Sequence, residues 1–484
     1  MDSYDVVVIG SGYGGAIPAT RLAEAGMSVL LLERGKNRGT GDLTQSDAPV
    51  EIQEVIDLVI ARNNVAFRTG KLVGGASINM DGAFFRMPQK SFEARDGKGR
   101  RYWPELYSRA ALDPYYEKAE AMMKIRQVGW DEVPKTAGLF GMMLDAAGAS
   151  CELSRMNYHN CLQCGFCSVG CVFDRKMTLR HTYLPLAYAA GATLISEATV
   201  STIEPSSASS GYLVSYQRGA ASTVVHGTRV IVAGGGIHTS ALLLRSKAKL
   251  PKLSPHVGKN FNNNGEFAFV GLVPESFAEL SSVFCYKGME NGGLMSFHWY
   301  DEEGFTLHPG AGLEPTVLTG DFKSATDAAL PSRSWGLEYK RFAERVYPHK
   351  LIAFSALGLA DGHAEIAIDG AGKPDIVTTD RTAFDAYIDR LEEIVTAVGK
   401  TSGITLFPSV PRELSGTTSA HLLSACRMAE SADDGVVDPD GQLFGYENLY
   451  CCDASAVPYS LAVNPALTIS AIAERTAELI VTKG

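Results

Sequence analysis

Four cysteines fall within one short run, NCLQCGFCSVGC, at Cys161, Cys164, Cys167 and Cys171. The spacing C-x2-C-x2-C-x3-C is that of an iron–sulfur ligand run. Thiolates so spaced let one loop wrap a [4Fe–4S] cluster that takes up electrons singly and hands them on. Gly165 and Gly170 ease the backbone around such a group. The same sulfurs can close a tetrahedron around zinc, or stay protonated and pack as small buried hydrophobes. Val172 follows where the ferredoxin run has proline, and there is no second run. All three readings stay open at this point. Cys151, Cys285, Cys426, Cys451 and Cys452 are scattered and read as structural.

A second chemical signature lies at the start. Tyr4–Ile9 (YDVVVI) is a β-branched apolar run and predicts a buried parallel strand. GSGYGG follows, matching G-x-G-x-x-G at Gly10, Gly12 and Gly15. The small and apolar positions Ala16, Ala19, Leu22, Ala23 and Ala25 then predict a helix, and SVLLL a second strand ending at Glu33. Such glycines permit a tight turn and close passage of a pyrophosphate. The helix N-terminus offers it free N–H groups and a positive dipole. Glu33, 23 residues past Gly10, stands where an acid accepts adenosine ribose hydroxyls, which disfavours a 2′-phosphate.

These groups must be held by a large fold. The chain has 484 residues, 45% hydrophobic and 20% charged, as in ordinary globular proteins. Its net charge of −10 argues against nucleic-acid binding, and no basic run suggests an anionic membrane. No apolar run reaches the roughly 18 residues of a membrane span. The first strand starts almost at once, so no signal peptide is expected. The nine cysteines, odd in number and partly clustered, favour a reducing compartment over a disulfide framework. The expected location is the cytoplasm.

A simple NAD enzyme would continue in regular βαβ repeats. This chain runs instead into Gly74-Gly75-Ala76-Ser77-Ile78-Asn79, then Trp103-Pro104 and an amphipathic helix at Asp113–Met123. The third nucleotide-domain strand comes only at Thr228–Ala233, followed by Gly234-Gly235-Gly236 and a helix over HTSALLLRS. So large an insertion is more like a flavoprotein. Near the C-terminus, His421 opens HLLSACRM, and a strand Asn448–Cys452 ends at Asp453. Pro465 suits the first position of a helix, ALTISAIAERTAELIV, which makes Asn464 its expected N-cap. A helix N-terminus aimed at a flavin would stabilise the negative charge of its reduced ring.

Taken together, GSGYGG, GGASIN, WPELYSRAALDPYYEKAE, CLQCGFCSVGCVFDRKMT, VIVAGGGIHTSALLLRS, HLLSACRM, CCDASAVP and VNPALTI resemble the glucose–methanol–choline (GMC) family of FAD-dependent oxidoreductases. The likeness is greatest to its cholesterol-oxidase-like branch. It spans residues 5–475 and is weak over 255–410.

The resemblance implies an α/β chain, α+β overall. A discontinuous Rossmann-like FAD-binding domain would comprise residues 1–95, 176–255 and 430–484. A mainly antiparallel-sheet substrate domain would comprise 96–175 and 256–429, including the cysteine segment 161–171. FAD is the implied cofactor, with a [4Fe–4S] cluster on Cys161, Cys164, Cys167 and Cys171 as the open addition. Gly10, Gly12 and Gly15 would meet the pyrophosphate, and Glu33 the adenosine ribose, with Tyr13, Gly14 and Arg34 also in the implied cofactor set. The Gly74–Asn79 loop, with Gly74, Gly75, Ser77 and Asn79, would lie along the isoalloxazine, and Gly82 is a further implied cofactor residue. Val200 would contact adenine through its backbone. Ala233, Gly234, Asp453, Ala454 and Pro465 complete the implied cofactor set, with Asp453 at the ribityl–phosphate region.

His421 and Asn464 are the implied catalytic pair, the first as base and the second positioning the hydroxyl. The family's HPxGG or HxxGTC is here HLLSAC, so Ser424 and Ala425 replace its glycines. The implied activity is oxidation of an alcohol by hydride transfer to flavin N5. Electrons would pass to oxygen, a quinone, a dye or a redox protein. A redox-neutral lyase or isomerase, or a binding protein, is the alternative on the same fold. His298 and His308 could line a pocket but read more readily as satisfied structural groups, and Phe297, Trp299 and Tyr300 could face the substrate but read more readily as an ordinary core or surface strand.

Overall fold

The computed structural model describes residues 1–46, 48–62, 66–274, 283–310, 336–337, 340–341, 344, 347–360, 364–409 and 419–483. Its larger sheet has seven strands, in the order Thr193–Ile195, Val29–Leu32, Ser3–Ile9, Ala221–Val232, Tyr212–Arg218 and Thr199–Pro205, with Leu449–Tyr450 also pairing Ala221–Val232. The run Val6–Val8 is wholly inaccessible to solvent, as expected of a parallel strand covered on both faces. Strand Ala221–Val232 changes role along its length. From Ala221 to Gly227 it pairs antiparallel with Tyr212–Arg218. From His226 onward it runs parallel beside Ser3–Ile9, Ile9 meeting Val232. The third nucleotide-domain strand is therefore longer than its apolar core Thr228–Ala233 suggested.

Helix Tyr13–Glu24 packs this sheet against the C-terminal helix Ala466–Lys483. Arg21 forks onto Glu474 through Nε (2.9 Å) and Nη2 (2.8 Å), and the Tyr183 hydroxyl donates to the same carboxylate at 2.7 Å. A buried carboxylate needs that full set of donors. The two ends of the chain are thus joined where the nucleotide loop begins. Helix Arg109–Met122 starts four residues earlier than its apolar pattern indicated, because Ser108 caps it by accepting from the N–H of Ala111 at 3.2 Å.

The second sheet is antiparallel, in the order Phe305–Gly310, Leu351–Gly358, Phe267–Leu272, Thr405–Pro408. Strand alternation gives it two faces. Phe305, Leu307, Ile352, Phe354, Phe267 and Phe269 face helices Lys135–Ala146 and Thr382–Ser402 in one apolar core. Thr306 and His308 point the other way, toward the nucleotide domain, where the Thr306 hydroxyl donates to the carbonyl of Ala462 at 2.6 Å. Tyr300, expected in a strand, lies in the short helix Tyr300–Glu303. No helix among the described residues is long and apolar enough to cross a membrane.

Candidate active site

The glycine-rich turn is built by close approach. Gly10 has φ +100°, and a Cβ there would lie 2.2 Å from the carbonyl oxygen of Ala233. Gly14 is pressed on the backbone of Asp453, and Gly75, at φ +53°, on Cα of Gly12 (2.7 Å from the position of a Cβ). Gly12 itself faces open space, with nothing within 4 Å of where its Cβ would be. The turn therefore closes on the protein side and stays open on the side where a pyrophosphate would pass, so these residues fit a dinucleotide cofactor.

Glu33 organises this region. Its Oε2 accepts from the N–H (2.9 Å) and hydroxyl (2.7 Å) of Ser11, and its Oε1 from the N–H of Gly35 (2.7 Å). Three donors leave room for one more on the carboxylate, such as a ribose hydroxyl. The Ser11 hydroxyl also accepts from the N–H of Gly74 at 2.9 Å, tying the turn to Gly74–Asn79. Ser77 donates its hydroxyl to the carbonyl of Gly74 (2.7 Å) and accepts from the N–H of Leu179. Tyr13 reaches Sδ of Met80 at 2.7 Å. The side-chain Oδ1 of Asn79 is buried with no protein partner, an acceptor free for a ligand. Gly82 lets the Tyr158 ring pack on the backbone.

Two implied cofactor residues, Arg34 and Asp453, also make structural contacts, and Asn464 is not the cap that its place before Pro465 suggested. Arg34 pairs with Asp57 at 2.6 Å and reaches Thr69 and Gly70, fastening the hairpin Ile56–Ile60/Ala66–Gly70 to the nucleotide domain. The Asp453 carboxylate accepts four protein donors. Gly235 N–H (2.7 Å) and the Thr239 hydroxyl (2.6 Å) meet Oδ2, and the N–H (2.9 Å) and hydroxyl (2.6 Å) of Ser455 meet Oδ1. All its acceptor positions are filled, so any contact with the cofactor comes from its backbone, which lies against Gly14. It thereby holds the first turn of helix Gly235–Arg245 and opens the turn Ala454–Ala456. Asn464 caps nothing. Pro465 accepts the first helical bond, from the N–H of Ile469 at 2.9 Å, and the helix begins at Ala466. Val200 lies on strand Thr199–Pro205, next to Ala198, whose N–H donates to the carbonyl of Glu33.

Freed from capping, Asn464 turns to His421, its Nδ2 3.3 Å from Nε2 of the ring. On the other side Nδ1 of His421 lies 3.0 Å from Oε2 of Glu266. The carboxylate can only accept, so Nδ1 carries the ring proton and donates it to Glu266 as a hydrogen bond, which leaves the Nε2 lone pair facing Asn464. Burial opposes charge on His421, but Glu266 and the nearby Asp81 outweigh it and raise the imidazole above its usual 6.5. Burial likewise opposes ionisation of Glu266, but His421 and the Ser419 hydroxyl keep its carboxyl below the usual range. Backbone N–H of His421 donates to Ser419 Oγ at 2.8 Å, fixing the ring's approach.

Loop 460–464 is held by Asn264, whose Nδ2 donates to the carbonyl of Val463 (2.8 Å) and whose Oδ1 accepts from the N–H of Leu461 (2.7 Å). Asn262, Asn263 and Asn264 are all buried. Neither this buttress nor Glu266 was identified from sequence. Their signal was NNNGE just before an apolar strand, a cluster too polar for a surface turn that leads into a core.

His308 also joins the site. It is 4% exposed, its Nε2 has no protein partner, and burial lowers its pKa despite the charges of Asp81 and Glu266 nearby. It is therefore not the satisfied structural group its sequence suggested. His298, by contrast, is exposed. Asp81 follows the Gly74–Asn79 loop, and its charge also reaches Glu290, whose Oε1 accepts from the N–H of Ser168 (2.8 Å).

The cysteine run does not assemble a ligand set. Among the described residues no group of three or more His, Cys, Asp or Glu side chains is arranged to hold a metal. Cys167 is buried, and burial pushes its thiol far up. Burial, with Cys164 and Cys171 nearby, pushes Cys161 up to about 11. Sulfurs of Cys161 and Cys171 each accept a backbone N–H, from Gln163 and Arg175, at 3.3 Å. The fully buried Lys176 donates to the carbonyls of Cys167 (2.9 Å) and Met80 (2.7 Å). The loop so braced supports the Gly74–Gly82 segment.

Residues 4–265 and 361–473 match the two models described as GMC oxidoreductase. A cholesterol oxidase of Mycobacterium tuberculosis is 25% identical, over 99% of this chain and 92% of its own length. A long-chain-alcohol oxidase of Arabidopsis thaliana is 23% identical, over 98% of this chain and 67% of its own. A solved formate oxidase of Aspergillus oryzae RIB40, studied for FAD modification, superposes with a TM-score of 0.67 at 16% identity, over 100% of this chain and 98% of its own.

Proposed function

The chain belongs to the GMC oxidoreductase family and is an FAD-dependent oxidoreductase of alcohols, and we propose that His421 is its base and Asn464 the group that positions the alcohol. Bound FAD supplies the hydride acceptor. The protein's part is to place the carbinol C–H and remove the hydroxyl proton. Nε2 of His421 holds a lone pair because Glu266 occupies Nδ1–H. An alcohol hydroxyl entering between His421 and Asn464 donates to that lone pair and accepts from Nδ2 of Asn464. The carbon then has one fixed orientation. As the proton reaches Nε2, the Glu266 carboxylate 3.0 Å from Nδ1 stabilises the imidazolium. Turnover requires an outside electron acceptor, for which the oxidases among its relatives favour oxygen.

The observation that carries this reading is one imidazole held between a carboxylate and a carboxamide. Anaerobic mixing of FAD-loaded protein with a panel of alcohols tests it. Bleaching of the flavin with formation of aldehyde or ketone is expected. A flavin that no alcohol reduces rejects the reading.

A further inference from the structure

The turn after His421 carries a side chain where its backbone favours none. Ser424 has φ +73°, in the left-handed region that suits glycine, and it stands where HPxGG and HxxGTC both have glycine. The chain keeps the turn and adds a hydroxyl. That hydroxyl is buried and accepts from Nδ2 of Asn262 at 2.9 Å. The backbones of Asn262 and Leu423 also exchange two bonds. The N–H of Asn262 donates to the carbonyl of Leu423 at 3.2 Å, and the N–H of Leu423 donates back at 3.0 Å. Asn262 thus grips the segment just past His421 through both its backbone and its side chain.

The other end of the same amide reaches loop 460–464. Oδ1 of Asn262 accepts from the N–H of Asn264 at 2.9 Å and lies 3.1 Å from the Ser460 hydroxyl, which is also 2.8 Å from the carbonyl of Ala360. A backbone N–H can only donate, so Oδ1 and Nδ2 cannot exchange places, and the Ser424 oxygen is the acceptor at the far end. Asn264 continues the grip through its bonds to Leu461 and Val463, next to Asn464. Both loops therefore meet on one buried amide, and the side chains they carry, His421 and Asn464, come within 3.3 Å of each other. Cutting the amide away would leave buried polar groups of both loops unpaired and free to shift.

We propose that Asn262 is a positioning residue of the alcohol oxidation. Its carboxamide, joined to Ser424 on one side and to Ser460 and Asn264 on the other, sets the spacing of Nε2 of His421 and Nδ2 of Asn464 into which a hydroxyl must fit. Ser424 is the chain's own device for this, since a glycine there would give the amide nothing to hold. This rests on the functional reading above and adds a residue that acts through the catalytic pair. A displacement of about 1 Å in such a pair is enough to cost about 10²-fold in rate.

The test uses FAD-loaded full-length protein and anaerobic stopped-flow reduction by 1-decanol, cyclohexanol, glucose and cholesterol, continued with whichever reduces the wild type fastest. Rates are taken per bound flavin, so a variant that only loses stability keeps the wild-type rate. Asn262→Ala should slow reduction at saturating alcohol about 10- to 100-fold, with KM within about threefold. Ser424→Ala keeps the strained turn but removes the acceptor, and should be slowed in the same way. Ser424→Gly relaxes the turn, so it should be faster than Ser424→Ala, and placed in the Asn262→Ala background it should recover part of the lost rate. Should Asn262→Ala take up no flavin, Ser424→Ala, which removes a single oxygen, decides by the same rate.

Asn262→Ala and Ser424→Ala that reduce at the wild-type rate, or that lose only KM, overturn the proposal. So does a slowed Asn262→Ala that Ser424→Gly does not relieve, because the amide then does not act through Ser424. In these cases a slowed His421→Ala leaves the functional reading standing. A wild type that no probe reduces, or His421→Ala reduced at the wild-type rate, overturns both.

Discussion

Nδ1 of His421 lies 3.0 Å from Oε2 of Glu266, and the 155 residues between them in sequence make this a product of the tertiary fold alone. The contact decides which ring nitrogen is left to take a proton. It also holds the imidazole above its ordinary 6.5. The neutral ring is the reactive one, so flavin reduction by an alcohol should rise with pH through this raised value and fall away below it. Glu266→Gln should move that rising limb to lower pH and slow the plateau rate, by an amount between about tenfold and the 10⁴-fold that loss of an orienting carboxylate can reach. Stopped-flow rates between pH 5 and 9 would show it (about the range in which histidine titrates). An acid limb that stays in place removes Glu266 from this role.

His421→Ala should slow flavin reduction about 10²- to 10⁴-fold with FAD still bound. Asn464→Ala loses one donor and should slow it less than His421→Ala does, with most of the loss in kcat. Flavin bleaching at the wild-type rate in His421→Ala would end the claim that this ring is the base.

His238 sits beside Arg34 and Asp57 under the hairpin Ile56–Ile60/Ala66–Gly70, and burial together with Arg34 lowers its pKa to about 4. A depressed histidine pKa means that the unfolded chain binds the extra proton. Its stabilising contribution is therefore present above 6.5 and is lost as pH falls from 6.5 toward 4. His238→Gln should flatten the loss of stability across that window, by on the order of 1–3 kcal/mol. Urea unfolding at pH 7 and pH 5 measures it. An equal loss in both proteins contradicts the assignment.

The thiols of Cys161, Cys164, Cys167 and Cys171 should act as packing groups. Purified protein should carry no stoichiometric iron or zinc, and Cys164→Ala should leave flavin reduction within about twofold of wild type. Metal analysis checks the first, and stoichiometric iron with absorbance near 400 nm after flavin removal would reverse it. Lys176→Met should do more harm than any single cysteine change, because it frees two buried carbonyls at once.

What could be read in the sequence was local. The loop from Gly10 to Gly15, the acid at Glu33 and the strands on either side follow from residue order within about thirty positions, and the structure places them together. The positions of His421 and Asn464 came from family resemblance, since nothing in HLLSAC or VNPALTI states which way either side chain turns. Asn464 shows the difficulty: its position before a proline favours a cap, yet the nearby imidazole wins its amide. Glu266 was illegible because its partner lies 155 residues away, and His308 could be read only as a pocket-lining or structural group because its surroundings are set by the face of a strand. The cysteine spacing left three readings open, and among the described residues no group of three or more His, Cys, Asp or Glu side chains is arranged to hold a metal.

Strand Phe305–Gly310 separates two duties by parity. Its odd positions, Phe305 and Leu307, belong to the apolar layer under the helices, and its even ones, Thr306 and His308, turn toward the loop that carries Asn464. A change at His308 therefore leaves the layer built by Phe305 and Leu307 untouched, so the face toward that loop can be altered without opening a void in the core beneath the helices.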